Sequence, residues 1–539
     1  MNAGDRVLVM AAAMAMAVSV MSAQGRGVQN WNTAGADAQR TGWLRTETRI
    51  SSATLQQPLS GRFQLLWKLK PENQPRQLHT LTQPLILGNL ISHKGFKALV
   101  FVGASSDSVY AYDYDLGKVY WSQRLNTAGS PPNGTIRCPG ALTTIARNTP
   151  LNQSAVSAPS ALSGPRSSGP PTPPLGRGPQ TSINPANLPI TNAVWAISSD
   201  GMVHALNPHI GADLRAPVRL VPAGAKVVGS VLVNNILYAA TSDGCQGAPN
   251  GVWALDASRD KPSRTAHMWD TGGATIAGST GPTIGLNSVL YVATGSGSGR
   301  YANAVVALDS QTLQVQNWFT GDSPFVSSPV AFSLGDRDVV AAAAGDGRLY
   351  VLDGTAPGGA DHRTPLARSV AYSTSPPDFS PGALATWQDP DRTRWLLVAS
   401  AGPVAADATF AAANGQVTDG TVAAFRVTAR SGSPTLEPAW TSRNLTSPST
   451  PIILNDVVFT LSSGAFRTTD PQVGVDQRLQ RSSPAVLYAL DARTGRELWN
   501  SGRTITASVQ GIGPSGQDGQ VYVVAADGAL YAFGIPLEH

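Results

Sequence analysis

One short apolar strand, most often closed by Asp, occurs eight times along this chain. The copies read VYAYD from Val109, VHALN from Val203, VWALD from Val252, VVALD from Val305, LYVLD from Leu349, VAAFR from Val422, LYALD from Leu487 and LYAF from Leu530. Recurrence of one unit points to an array that grows by adding copies, not to a string of unrelated domains. Turns before five copies carry Asp107, Asp200, Asp243, Asp346 and Asp527, four of them followed directly by Gly. Asp-Gly between apolar runs is hairpin chemistry, because Gly accepts positive φ, so these aspartates read as turn residues and not as catalytic acids. After the strand, Leu116-Gly117-Lys118 leads to Trp121 and Thr494-Gly495-Arg496 to Trp499, with Trp269, Trp318 and Trp440 in comparable places. A large aromatic at the end of each unit gives one sheet a surface to pack on the next.

Upstream of each copy lies a strand opened by small residues, at Gln83-Pro84, Pro139-Gly140, Gly229-Ser230, Gly281-Pro282, Ser328-Pro329, Ser380-Pro381, Thr450-Pro451 and Gln510-Gly511. Small residues suit the crowded centre of a radial assembly. The unit therefore reads as four antiparallel strands, and the chain as an all-β, eight-bladed β-propeller. The last unit stops near Gly534 without an outer strand, and Phe63 to Lys70, FQLLWKLK, has the right pattern and no repeat before it. This N-terminal strand is expected to complete blade eight and close the ring, which removes exposed sheet edges. Composition agrees. Charged residues are 14% against roughly 25% in an average domain, and 54 Gly with 40 Pro supply turns, which argues against coiled coils, helical bundles and charged disordered chains.

The units resemble the pyrroloquinoline-quinone (PQQ) type propeller repeat, of the form LYALDAxTGxxxW, best matched by Leu487 to Trp499. The run Trp31-Asn32-Thr33-Ala34-Gly35-Ala36-Asp37-Ala38-Gln39-Arg40-Thr41-Gly42-Trp43 is similar to the leading segment of exported bacterial members of that superfamily. The resemblance covers about Trp31 to Phe533 and implies fold more than function, since quinoprotein dehydrogenases, an outer-membrane assembly factor and binding proteins share the repeat. The expected layout is a signal peptide over 1–23, a leading segment over 24–61 and one propeller over 62–534. The first rests on the apolar run Val7 to Met21 after Arg6, with small residues at Ser22 and Ala23; an uncleaved anchor is the other reading. No Cys follows the run, so a lipid anchor is not expected, and the chain should be periplasmic or secreted.

Residues 148–189 hold 10 Pro with many Ser and Gly and should form a disordered or polyproline-like insertion between the first two strands of blade two. Other insertions fall between second and third strands: Ser242 to Gly251, Gly295 to Ala304, Gly402 to Gly420 and Ser462 to Pro484. In a four-stranded blade those loops share a face with the links between blades, and loops on a rigid scaffold are where binding sits. Cys138, on the link into blade two, and Cys245, in the blade-three loop, should share that face. They form either one disulfide, as export would allow, or two free thiols.

Searches for chemistry exclude more than they find. There is no C-x-x-C-H, H-E-x-x-H, G-x-S-x-G or Walker loop, and the seven His are scattered. Gly511 to Gly516 matches G-x-G-x-x-G, but Pro514 interrupts it and no helix pattern follows. Asp113, Asp115 and Gly117 mimic part of a calcium loop but coincide with the repeat turn, and His204 fills an aromatic slot of its repeat. A net charge of +5 without a basic run predicts no nucleic-acid partner.

The quinoprotein resemblance implies PQQ and calcium on the axis with an Asp base, although the adjacent cysteine pair of many such enzymes is absent here. Asp378, in Pro377-Asp378-Phe379-Ser380-Pro381, is the candidate base or calcium ligand. Arg300, Tyr301, Phe466 and Arg467 are candidates for anion pairing and stacking with a planar acidic cofactor. The expectation is a monomeric binding scaffold for a small molecule or an extended peptide through its loop-rich face. A PQQ- and calcium-dependent alcohol dehydrogenase and an envelope-assembly scaffold are the alternatives.

Overall fold

The computed structural model describes residues 29–56, 63–73, 78, 80–92, 95–126, 135–138, 144–151, 192–258, 266–430, 433–511 and 513–536. The expected signal peptide and residues 152–189 of the Pro-rich insertion lie outside the described residues. Eight sheets follow one another: blades one to seven are each built on four antiparallel strands taken in chain order, and blade eight on three, completed by a strand from the other end of the chain. In blade one these are Leu85–Ser92, Gly95–Gly103, Ser108–Asp113 and Val119–Arg124, from the axis outward. The eight repeat strands are the eight third strands, including Gly251–Asp256, Leu349–Asp353 and Val486–Asp491. Blade eight takes Ser515–Gln517, Gln520–Val524 and Leu530–Gly534 from the end of the chain, and Gln64–Leu69 pairs antiparallel to the last of them, so the N-terminal strand closes the ring.

The period of two explains why the repeat strand is apolar throughout. Val109 and Ala111 pack toward blade two with Trp121, Ile145 and Val194, whereas Tyr110 and Tyr112 pack toward blade eight with Val521 and Ala532. Both faces of a blade are buried, so alternation separates two interiors instead of core from solvent. The Asp that closes the strand caps the following turn: Asp491 Oδ1 accepts from the N–H groups of Arg493 and Thr494 at 3.0 and 2.9 Å, and Asp113 Oδ1 from Asp115 and Leu116 at 3.1 Å each. Those turns then receive a tryptophan from the preceding blade. Trp440 Nε1 donates to Ala492 O at 3.0 Å, Trp67 to Tyr114 O at 3.1 Å and Trp121 to Pro208 O at 2.8 Å. The indole lies so close that a Cβ on Gly495 would stand 2.3 Å from Trp440, and one on Gly117 2.6 Å from Trp67. At φ +70° and +60° these turns also need glycine for backbone reasons.

Blades six and seven carry additions that the repeat does not announce. Ala412–Ala413, within the blade-six loop, pairs parallel to the outer strand Ser433–Thr441. The blade-seven loop contains a helix over Val475–Arg481.

The leading segment occupies the axis. Trp31 exchanges backbone hydrogen bonds with Ile86 of blade one at 3.2 and 2.9 Å, and Arg147 N of blade two donates to Asn32 O at 2.8 Å. Thr33 Oγ1 donates to Ser230 O of blade three at 2.8 Å. Ala38, Gln39, Thr41 and Gly42 then offer their carbonyls to Ile284, Ala331, Thr386 and Ile453 of blades four to seven at 2.7 to 3.0 Å. Trp31 N also donates to Gln517 Oε1 of blade eight at 3.2 Å. One short stretch thus touches the inner strand of every blade, and Trp43–Leu44 ends it by pairing parallel to the inner strand of blade seven.

Candidate functional site

The inner strands converge on the axis as glycine, serine and threonine, and this leaves a cavity of about 460 Å³. Its wall comes from the links entering the blades and the first residues of the inner strands, including Thr82, Thr144, Ser230, Thr280, Gly382 and Thr450. Its floor is the leading segment, through Ala34, Gly35 and Gly42. Links and inner-strand starts lie on the face that also carries the second-to-third strand loops, so the cavity belongs to the loop-rich face.

Apolar side chains and hydroxyls line it, and among the described residues the ionisable ones are few: Lys226 and Asp243, bound to each other at 2.6 Å. Asp243 is one of the turn aspartates, at φ +68°. It also receives Arg137 at 3.3 Å, from the link that Cys138 anchors by a disulfide to Cys245. The Cα atoms of the two cysteines are 5.5 Å apart, so the paired state is the one found.

The candidates read from sequence fall in two places. Asp378 and Arg467 meet: Arg467 Nη1 lies 3.2 Å from Asp378 Oδ1, and the guanidinium sits 5.6 Å above Phe379. Phe466 lies beside them under Arg481, at 5.2 Å, and is held by its N–H to Ser482 Oγ at 2.9 Å. This group sits at the link into blade six, and Ser380, two residues on, lines the cavity. Arg300 and Tyr301 lie elsewhere, against outer strands. Arg300 stacks 4.3 Å from Trp318, and Tyr301 stands between Trp269 and Trp318 at 5.6 and 5.7 Å. His204 is buried in its strand with Nδ1 3.0 Å from Asp213 Oδ2, and Asp113 caps its turn while holding Lys97 at 2.8 Å. The sequence reading missed Lys226 and Thr280; Ser230 and Asp243 had been singled out, but as strand and turn residues.

A ring of eight such blades around a closed axis is a PQQ-like β-propeller, and that is the fold of this chain. The family profile described as outer membrane protein assembly factor BamB matches residues 467–535. Among solved structures, a quinohemoprotein alcohol dehydrogenase from Comamonas testosteroni is similar over 97% of this chain and 82% of its own, with 15% identity and a TM-score of 0.58. A europium-containing methanol dehydrogenase is similar over 94% of this chain and 98% of its own, with 12% identity and a TM-score of 0.55. No curated protein matches the chain. Among the described residues, no helix is long and apolar enough to cross a membrane.

The resemblance raises PQQ and calcium as axial ligands, and the residues present do not fit them. Calcium takes six to eight oxygens with carboxylates among them. Among the described residues no three His, Cys, Asp or Glu stand together, and the carboxylate of Asp378 faces an arginine. A planar acidic quinone would ask for stacking surfaces and free cations. Among the described residues the cavity wall carries no aromatic side chain, and its Lys226 is already paired with Asp243.

Proposed function

We propose that this chain is an exported ligand-binding module whose axial cavity holds a small molecule at the loop-rich face. The observation that supports the reading most is the cavity itself: a concave space of ligand size, largely apolar with hydroxyl groups set into it, walled by inner strands and floored by a segment that ties the blades together. Export is supported by the Cys138–Cys245 bond, since such bonds persist in oxidising compartments. The cavity favours a small molecule over an extended peptide, which would need a free sheet edge or a long groove.

A thermal-unfolding screen against a metabolite library tests this. A ligand present at a hundred times its Kd adds about 2.7 kcal/mol to the folded state. Ser279 is exposed at the cavity wall, and Ser279→Phe narrows it, so the protection is expected to vanish in that variant. Protection that survives Ser279→Phe would move the site away from the axis. The quinoprotein reading is tested alongside by titrating PQQ with calcium and following dye-linked alcohol oxidation. Saturable binding with turnover would replace the present proposal.

A further inference from the structure

We propose that the side of the ring opposite the loop-rich face rests on a lipid surface, with an aliphatic edge spread over blades eight, one and two touching the bilayer and the N-terminal apolar run kept as an anchor. This goes beyond the binding-module reading and does not depend on it. The first observation is where exposed apolar side chains fall. Among the described residues five large ones are exposed, and four of them, Leu65 at 36%, Leu116 at 55%, Val119 at 60% and Ile210 at 53%, belong to three consecutive blades of the eight. Scattered singly they would call for no explanation; concentrated, they mark a contact surface.

Their positions follow the repeat. Leu65 and Val119 each stand two residues before a tryptophan that seals a seam: Leu65 pairs with Phe533 and Trp67 with Ala532, as Val119 pairs with Tyr112 and Trp121 with Ala111. Leu116 and Ile210 each precede the glycine that such an indole covers, Gly117 under Trp67 and Gly211 under Trp121. Two consecutive seams therefore carry equivalent aliphatic pairs, Leu65 with Leu116 and Val119 with Ile210. The seam closed by Trp440 and Gly495 has Pro438 and Thr494 in those places, so the seal itself does not require them.

The second observation is where the chain enters the fold. The third strand of each blade ends on the side opposite the loop-rich face, so the turns that hold Leu116 and Ile210 lie on that side. Gln29, the first described residue, lies there too. Its N–H donates to Thr46 Oγ1 at 3.3 Å, and Arg49, three residues on, donates to Asp518 O at 3.1 Å, in the hairpin between the first two strands of blade eight. Met21 is eight residues before Gln29, within roughly 28 Å at full extension. A bilayer that holds the run Val7 to Met21 thus has this side of the ring beside it. The 15 residues of the run fall short of the roughly 20 that span a bilayer comfortably, and stable anchoring by weak signals takes two of them. The aliphatic edge supplies the second. Asp115 and Lys118, both exposed, flank Leu116 with opposite charges, so the contact is apolar and does not select headgroup charge. The mouth of the axial cavity then faces away from the membrane.

Phosphatidylcholine vesicles and the full chain test the assignment. Leu116→Cys, Ile210→Cys and, on the loop-rich face, Gln416→Cys are labelled one at a time with nitrobenzoxadiazole, whose emission brightens and shifts to the blue in hydrocarbon. On vesicles the shift is expected at positions 116 and 210 and not at 416. Combining Leu65→Thr, Leu116→Ser, Val119→Thr and Ile210→Ser should weaken flotation with vesicles tenfold or more and leave the melting temperature at the parent's, because all four side chains are exposed. A chain that floats while positions 116 and 210 stay unshifted would overturn the contact at this edge, and so would equal flotation of the parent and a folded combined variant. Failure of the full chain to bind vesicles, or loss of residues 7–21 from the chain recovered from its producing cells, would overturn the proposal as a whole.

Discussion

The seams between blades and the axis of the ring are both sealed, yet by different means. A seam is closed by a local device that recurs: a tryptophan of one blade lies on the glycine turn of the next, as Trp67 does on Gly117, Trp121 on Gly211 and Trp440 on Gly495. The axis is closed by a segment that occurs once and reaches all eight inner strands. Damage at a seam should stay between two blades. Damage to the axial segment should be felt by several blades together, because the same few residues serve them all.

Arg40 offers the strongest way to break this contrast. It is fully buried at φ +58°, donating to Pro282 O at 3.0 Å, Ser230 O at 3.1 Å, Ala34 O at 2.6 Å and Thr33 Oγ1 at 2.5 Å. Burial pulls the guanidinium down to about 9, with Asp37 opposing, yet it stays charged at neutral pH. Arg40→Ala withdraws the donors that serve Pro282 O and Ala34 O and removes one of the two arginine charges acting on Asp37, so a loss of about 3–5 kcal/mol is expected in urea unfolding. A loss below about 1 kcal/mol, the range of exposed ion pairs, would show that the axial segment does not bind the ring together.

A smaller effect is expected at a seam. Gly502 sits at φ +55° with open space around its would-be Cβ, whereas Gly495 at φ +70° faces Trp440. Gly502→Ala should cost about 1 kcal/mol for the left-handed backbone alone. Gly495→Ala should cost about 1–3 kcal/mol more, from overpacking against the indole. Equal losses in the two variants, measured by the same urea titration, would mean that the tryptophan contact adds nothing to the seam.

Seams were legible in the sequence because their parts are close in the chain and repeat: strand, capping Asp, Gly turn, Trp. Ring closure by Gln64–Leu69 was legible for the same reason, as a unit missing one strand. The axial role of residues 31–44 was not. Its contacts join Trp31 to Gln517 and Thr33 to Ser230, and it is too irregular to show a period. The signal available was Asp37 and Arg40 standing in a run of small uncharged residues. The helix over Val475–Arg481 was hidden by its place within a long loop, although VDQRLQR has good helix formers. Strand topology put Asp378 and Arg467 on the loop-rich face, but their ion pair, which joins two blades, was not legible. The cavity wall could not be read, because Gly, Ser and Thr at the start of inner strands carry no motif until the ring closes around them.

Asp37 allows the least disruptive comparison between axis and seams, since it can be tuned by pH. It is fully buried and accepts from Thr41 N at 2.9 Å and from Thr41 Oγ1 at 2.6 Å. Burial raises its carboxyl above the ordinary 3.8, outweighing those hydrogen bonds and the attraction of Arg45 and Arg40. A carboxyl raised in the folded state holds its proton more tightly there than in the unfolded chain. Its contribution is full below pH 3.8 and is lost as pH rises through the folded value, so stability falls with rising pH on its account. Asp37→Asn should remove that slope, and the stability difference, parent minus variant, should decline above pH 3.8 and then level off in urea titrations stepped from pH 3 to 7. The half-buried turn aspartate Asp309 makes the opposite case: hydrogen bonds from Thr312 lower its carboxyl, so Asp309→Asn should give a difference that rises with pH and saturates above 3.8. Parallel curves for the two variants would mean that the arginines hold Asp37 ionised as firmly as the repeat turn holds Asp309, and that burial does not set the axis apart.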